Sequence, residues 1–138
     1  MGDPFGAFSN FAPYPVEVGG TVWPTSEHYF QAEKFLNEET RERILRARSP
    51  MIAAGIGRGK RGERRPDWER IRDGVMLRAV RAKFSQHPDL LDLLLSTGDE
   101  EIVEHTRHDD YWGDGGDGSG KNMLGRILTT VRSELRAD

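Results

Sequence analysis

A carboxylate, an amide and an amine stand at Glu27, Gln31 and Lys34. If Thr25–Phe35 is read as a helix, they fall at i, i+4 and i+7, within roughly 60° of one another. Phe30 and Phe35 flank that stripe, and Tyr29, Ala32 and Leu36 form the opposite, core-type face. A polar stripe framed by aromatics reads as the wall of a polar pocket rather than as a solvated helix face. The groups it offers suit proton transfer, and an amine freed of its proton is a nucleophile.

Other residues offer chemistry with less distinctive spacing. Asp109-Asp110-Tyr111-Trp112-Gly113 sets two adjacent carboxylates beside an indole, where a folded loop could bury one and leave the other solvated. On these residues alone an ordinary acidic turn is the simpler reading. Asn10 lies in Phe8-Ser9-Asn10-Phe11, a turn with two aromatic anchors. Trp68 suits the core, and Asn122, after Gly120-Lys121, suits a helix cap. His28 reads as structural and His87, before Pro88, as a cap; the histidines lack the spacing of a metal-binding helix pair.

The segment Gly115–Asn122 satisfies G-x-x-x-x-G-K but ends in Asn122, where a phosphate-binding loop needs a Ser or Thr hydroxyl for magnesium. No buried strand precedes it, and Asp114 and Asp117 would repel phosphate. Gly120 leaves only a weaker anion site, backbone N–H groups at the start of the last helix. Asp114 and Asp117 also lack the spacing and the closing Glu of an EF-hand calcium loop.

The elements that must position these groups follow from turn and cap signals. Pro15–Val18 and Thr21–Trp23 alternate around Gly19-Gly20, as in a β-hairpin. Pro24 ends the second strand, Thr25 or Ser26 caps the next helix, and Glu27 sits in its dipole-favoured first turn. A charged helix over 39–47 follows. Ser49-Pro50 opens another, which the glycines Gly55 and Gly57 should end. Asp67 caps the longest helix, to about Gln86, with Trp68, Ile71, Val75, Ala79 and Ala82 on one stripe and Met76, Val80 and Phe84 beside it. Pro88 opens a leucine-rich helix that Gly98 closes. Ile102–His105 reads as a short strand and 107–121 as a long glycine-rich loop of the kind that carries function. A final helix over 122–135 buries Leu124, Ile127, Leu128, Val131 and Leu135. The fold class is α+β, a mostly helical single domain over 1–138 with a small antiparallel sheet.

Composition narrows the function classes. The chain has 138 residues, no cysteine and a formal net charge of −3. Disulfides, thiolate catalysis and zinc–thiolate sites are excluded, and the whole chain is not a generic polyanion binder. A cytoplasmic location is expected. No apolar run reaches the roughly 20 residues of a membrane span, and no secretory signal is visible. The run Arg58-Gly59-Lys60-Arg61-Gly62-Glu63-Arg64-Arg65 could meet phosphate, or could equally be a solvated loop.

These fragments, in this order, resemble the NADAR family, also called YbiA-like. The resemblance rests on Phe8-Ser9-Asn10-Phe11, Trp23–Phe35, Ala54-Gly55-Ile56-Gly57-Arg58, Arg65-Pro66-Asp67-Trp68, Met76 to Lys83-Phe84, Asp109–Gly113 and Gly120–Arg126. It covers nearly the whole chain and implies a YbiA-like fold. It also implies an N-glycosidase that acts on ribosyl groups attached to nitrogen. Family members are described as hydrolysing phosphoribosylamino intermediates of riboflavin synthesis, or as removing ADP-ribose from guanine bases in nucleic acid. The implied partners are thus ADP-ribose or ribosylamine-containing substrates, including ADP-ribosylated DNA or RNA. No cofactor and no metal are implied. Glu27, Lys34 and Asp109 become the catalytic candidates, with Asp109, three before Trp112, a better match than Asp110. Lys34 would either bind a phosphate or hydroxyl or, once neutral, attack C1 of an opened ribose to form a Schiff base. Asn10, Phe11, Gln31, Arg58, Trp68, Trp112, Gly120 and Asn122 become the substrate-binding candidates. A module that binds ADP-ribose or NAD without cleaving it is the alternative, and a phosphohydrolase acting through Lys121 is a weaker third.

Overall fold

A computed structural model of the chain describes residues 4–60, 63–103, 109, 111–113, 115 and 120–136. They gather into two units, Met1–Leu90 and Leu91–Asp138. The first begins with a 3-10 turn, Pro4–Phe8, and continues through strands β1 (Val16–Val18) and β2 (Thr21–Trp23). Helices α1 (Ser26–Ala32), α2 (Glu38–Leu45), α3 (Pro50–Gly59) and α4 (Trp68–Gln86) follow. Helix α5 (Pro88–Ser96) runs from the first unit into the second, which also holds α6 (Met123–Arg136). The class is α+β and mostly helical, as the sequence indicates, with a two-stranded antiparallel sheet.

The hairpin pairs Val16 with Trp23, Glu17 with Val22 and Val18 with Thr21. Gly19 and Gly20 both take positive φ, 61° and 86°, which a two-residue turn of this hand requires and other residues resist. Gln86 extends the ladder: its side chain accepts from the Glu17 amide and donates to the Glu17 carbonyl, each at 2.8 Å.

Helix α1 is the centre of the first unit. Thr25 caps it, its hydroxyl accepting from the His28 amide at 3.2 Å. The hairpin and helices α2, α3 and α4 all pack against it. All seven residues of α1 are buried, so the expected division into a polar stripe and an opposite core face does not hold. Helix geometry also ends at Ala32. Lys34 and Phe35 follow in tighter turns, their amides bonding to the carbonyls of Gln31 and Ala32. That change of winding throws Leu36 out to 66 % exposure instead of into the core.

Two further expectations fail for packing reasons. Helix α3 passes through Gly55 and Gly57 and ends at Gly59, because tertiary contacts outweigh the weak helix propensity of glycine. Asp67 occupies the cap position of α4 but makes no cap bond, since Arg65 holds its carboxylate at 2.7 and 3.2 Å. The buried face of α4 is Trp68, Val75, Met76, Ala79, Val80, Lys83 and Phe84, with Ile71 and Ala82 only half-buried. Lys83 is a buried cation that donates to the carbonyls of Ala7 and Ser9 at 2.5 and 2.8 Å. His87 stands at the C-cap of α4, its carbonyl accepts from the Leu90 amide at 3.0 Å, and its Nε2 donates to the Pro15 carbonyl at 2.6 Å.

In the second unit, Gly98 closes α5 at φ 62°, and the buried Arg132 of α6 ties down the turn beyond it through Thr97 Oγ1 (2.7 Å) and the Glu100 carbonyl (2.9 Å). Leu124, Ile127, Leu128 and Val131 are buried, whereas Leu135 is half-exposed. Ile102 and Val103 are not strand; the expected Glu104 and His105 lie outside the described residues, as does most of the 107–121 loop. Among the described residues no helix is long and apolar enough to cross a membrane, and no group of three His, Cys, Asp or Glu could hold a metal ion.

Two buried polar groups yield measurable consequences. The His28 ring accepts from Thr25 Oγ1 (2.8 Å) and donates to the Ala47 carbonyl (3.0 Å), which fits the neutral imidazole. Burial pushes its pKa below the ordinary 6.5, against a smaller opposing effect of the Ala47 carbonyl. The unfolded chain therefore takes up this proton first. The stability contribution is complete above pH 6.5 and is lost as pH falls from there through the lower folded-state value. Urea unfolding across that window should show a flatter pH dependence for His28→Gln than for the wild type. Lys83→Met should cost about 2–4 kcal/mol in the same measurement, because two buried carbonyls lose their donor.

Candidate functional site

The turn that carries Asn10 is docked onto the start of α1. The Asn10 carbonyl accepts from the Glu27 amide at 3.2 Å, and Asn10 Oδ1 accepts from the Ser26 hydroxyl at 2.8 Å. Its amide nitrogen donates to the sulfur of Met76 at 3.0 Å. Asn10 thus fixes the first turn of α1, where the helix dipole favours the Glu27 carboxylate. One turn on, Gln31 Nε2 donates to Glu27 Oε2 at 2.7 Å. Glu27, Gln31 and Lys34 are 9 %, 5 % and 8 % exposed, so all three are largely withdrawn from water.

Two neighbours shape the trio. A Cβ at Gly57 would overlap the Gln31 carboxamide oxygen and come within 2.9 Å of its carbon. That oxygen is buried and has no hydrogen-bond partner among the described residues. Lys34 Nζ lies 5.9 Å from the centre of the Phe30 ring. Phe30 in turn meets Trp68 edge-to-face, centroids 5.1 Å apart. Trp68 is buried, so it buttresses the aromatic wall and offers no open platform for a ligand. Phe35 is likewise wholly buried.

Phe11 and Arg58 stand apart from the buried trio. Phe11 is 43 % exposed, and Arg58, next to Gly57 on the last turn of α3, is exposed. Of the basic run, Lys60 pairs with Glu63, Arg64 with Glu69 and Arg65 with Asp67, while Arg61 lies outside the described residues. Arg58 has no ion pair among the described residues.

The remaining candidates lie in the second unit. Asp109 Oδ1 accepts from the amides of Tyr111 and Trp112 at 3.0 and 2.8 Å, shaping the loop that carries the half-buried Trp112. The carbonyls of Gly113, Tyr111 and Trp112 accept from the amides of Asn122, Met123 and Leu124 at 2.8–2.9 Å. The anion site expected at the start of the last helix is therefore filled by the protein's own backbone at these three amides. Asn122 adopts a left-handed φ of 52° and donates its side-chain amide to the Ile102 carbonyl at 2.9 Å. Gly125 is needed beside it, since a Cβ there would overlap both groups. Gly120 precedes this turn, and Lys121 Nζ lies 5.6 Å from the centre of the Tyr111 ring. Asp110 lies outside the described residues.

In the sequence Gly57 reads as a helix terminator; in the fold it is the close neighbour of Gln31. A glycine within a helix that continues past it is the signal that finds such a close approach. Gly55 and Gly57 separate the two meanings. Gly55→Ala, which meets open space, should gain about 0.5–1 kcal/mol from helix propensity. Gly57→Ala should lose about 1–3 kcal/mol by overpacking, and Gln31→Ala in the same chain should recover most of that loss in a double-mutant unfolding cycle.

The chain resembles known proteins in sequence and in fold. The chain is 54 % identical over 133 residues to N-glycosidase YbiA of Escherichia coli, covering 96 % of this chain and 83 % of that protein. It is 48 % identical over 131 residues to a riboflavin biosynthesis protein of Vibrio vulnificus, covering 95 % of this chain but 36 % of that longer one. The NMR structure of Escherichia coli YbiA superposes with a TM-score of 0.91 at 53 % identity, over 98 % of this chain and 80 % of that one. The NADAR domain model matches residues 1–136, and the chain belongs to the NADAR family.

Proposed function

We propose that this chain is an N-glycosidase that hydrolyses a ribosyl C1–N bond, with Glu27 and Lys34 carrying the chemistry. The names of its relatives support the enzyme class. The observation that carries the residue roles is the buried Glu27–Gln31 hydrogen bond, one turn before a buried lysine. Gln31 orients the carboxylate, and exclusion of water strengthens whatever charge that carboxylate presents to a sugar.

Cleavage moves the C1–N bonding pair onto the leaving nitrogen, which takes a proton, while a new bond forms at C1. Glu27 is the group that delivers the proton or steadies positive charge on the ribose. When the leaving nitrogen is an exocyclic amine, the sugar ring can open and expose C1 as an imine. The neutral Lys34 amine then adds to C1, the base departs as a free amine, and water hydrolyses the resulting Schiff base to release the sugar and regenerate lysine. A part for Asp109 rests on the family resemblance; its Oδ1 accepts from the amides of Tyr111 and Trp112. Arg58, exposed beside Gly57, is the proposed phosphate contact.

Both substrate classes implied by the family, a phosphoribosylaminopyrimidine and ADP-ribosylated guanine, contain this bond. The riboflavin-synthesis relative supports the first. The ion pairs of Lys60, Arg64 and Arg65 lend little support to a broad nucleic-acid surface at those residues. Incubation with a ribosylaminopyrimidine phosphate and with ADP-ribosylated single-stranded DNA, followed by chromatography of released base, compares the two directly. Glu27→Gln and Lys34→Ala, folded by circular dichroism, should each lose roughly 100-fold or more in turnover. Full turnover in both variants overturns the mechanism, and tight binding of ADP-ribose with no product from either substrate establishes a binding module instead.

A further inference from the structure

Lys34 lies two residues beyond the end of α1, in a segment joined to it by the tighter bonds of the Lys34 and Phe35 amides to the Gln31 and Ala32 carbonyls. A single guanidinium grips that segment on both sides. Arg41 Nη1, from α2, donates to the Ala32 carbonyl at 2.9 Å, to Glu33 Oε1 at 2.7 Å and to the Phe35 carbonyl at 3.3 Å. Its acceptors are thus residues 32, 33 and 35, bracketing Lys34. The Lys34 carbonyl is fixed separately, accepting from the Arg65 amide at 2.7 Å.

The grip is itself anchored. The Arg41 guanidinium carbon lies 5.7 Å from the centre of the buried Trp23 ring, a cation–π distance. Glu33 is held from the other side by the Tyr29 hydroxyl, 3.1 Å from Oε2, and that hydroxyl accepts from Arg78 Nη1 at 3.2 Å. A cation at a helix C-terminus also matches the negative end of the helix dipole. All three bonds leave one nitrogen, Nη1, and a lysine, whose stem is about one bond shorter, brings its ammonium short of that point.

We propose that Arg41 is a positioning residue for Lys34: by bonding residues 32, 33 and 35 it holds the post-helical turn in the one conformation that aims the Lys34 amine at its target. This rests on the reading of Lys34 as the reacting amine. Misplacing a reacting group by about 1 Å can cost on the order of 100-fold in rate without loss of substrate binding.

The test uses the full chain, a ribosylaminopyrimidine phosphate, steady-state kinetics and borohydride trapping of the lysine–sugar adduct. Arg41→Met should lower kcat about 10- to 100-fold with KM little changed, and should slow trapping by the same factor. Arg41→Lys, which keeps the charge and serves if the first variant does not fold, should recover only part of the rate. Arg46→Met, which removes a solvent-exposed ion pair with Glu42, should leave kcat unchanged. A folded Arg41 variant that melts lower but keeps wild-type kcat and trapping overturns the proposal, as that result assigns Arg41 to stability alone. Absence of trapping in the wild type together with full turnover in Lys34→Ala removes the reading of Lys34 itself, and the proposal with it. That outcome is distinct from intact trapping in Arg41→Met.

Discussion

Helix α1 is buried on all sides, yet four of its seven residues are Ser26, Glu27, His28 and Gln31. A polar group taken out of water costs free energy unless another group replaces the lost hydrogen bonds. Much of the surrounding structure meets that demand. Thr25 and the Ala47 carbonyl satisfy His28, Asn10 satisfies Ser26, and Gln31 satisfies one oxygen of Glu27. Each of these bonds also fixes a rotamer. The constraint that makes the helix costly to bury is the same one that holds its carboxylate and amide in a defined geometry.

The same logic extends to the segments that meet α1. The turn containing Asn10 has little secondary structure of its own, so it is held by Lys83 from α4 and by its bonds to the first turn of α1. The turn containing Lys34 is held by Arg41 from α2. In both cases a long cation donates to backbone carbonyls of a turn. Buried, charge-assisted bonds of this kind are stronger than neutral ones. Surface pairs such as Lys60–Glu63 and Arg64–Glu69 contribute little to stability. Their consequence is electrostatic, since they cancel charge along a run that reads as basic in the sequence.

Much of the framework was legible because it depends on local stereochemistry. Gly19-Gly20 between alternating segments supplies the two positive-φ positions that a tight turn needs, and the hairpin follows. Thr25 and Ser49 are caps for the same reason: a short hydroxyl side chain reaches an amide two or three residues on. The illegible parts depended on partners distant in sequence. Asp67 looks like a cap, but Arg65 outcompetes the backbone amides for its carboxylate. Gly57 looks like a terminator, but Gln31 needs its missing side chain. Trp68 suits the core from its place at the start of a helix, but its edge-to-face partner Phe30 is found only in the fold.

The candidate site divides along the same line. Residue types and the i, i+4 spacing determined that Glu27 and Gln31 would meet, because an α-helix brings such side chains together whatever surrounds it. The short motifs determined the family. Only the tertiary structure decided that α1 would be buried on every side and would end before Lys34. It also decided that Asn10 and Asn122 would spend their amides on the protein itself. Those outcomes turn on which carbonyls and carboxylates come within about 3 Å of which donors, a matter of packing between segments that no local pattern records.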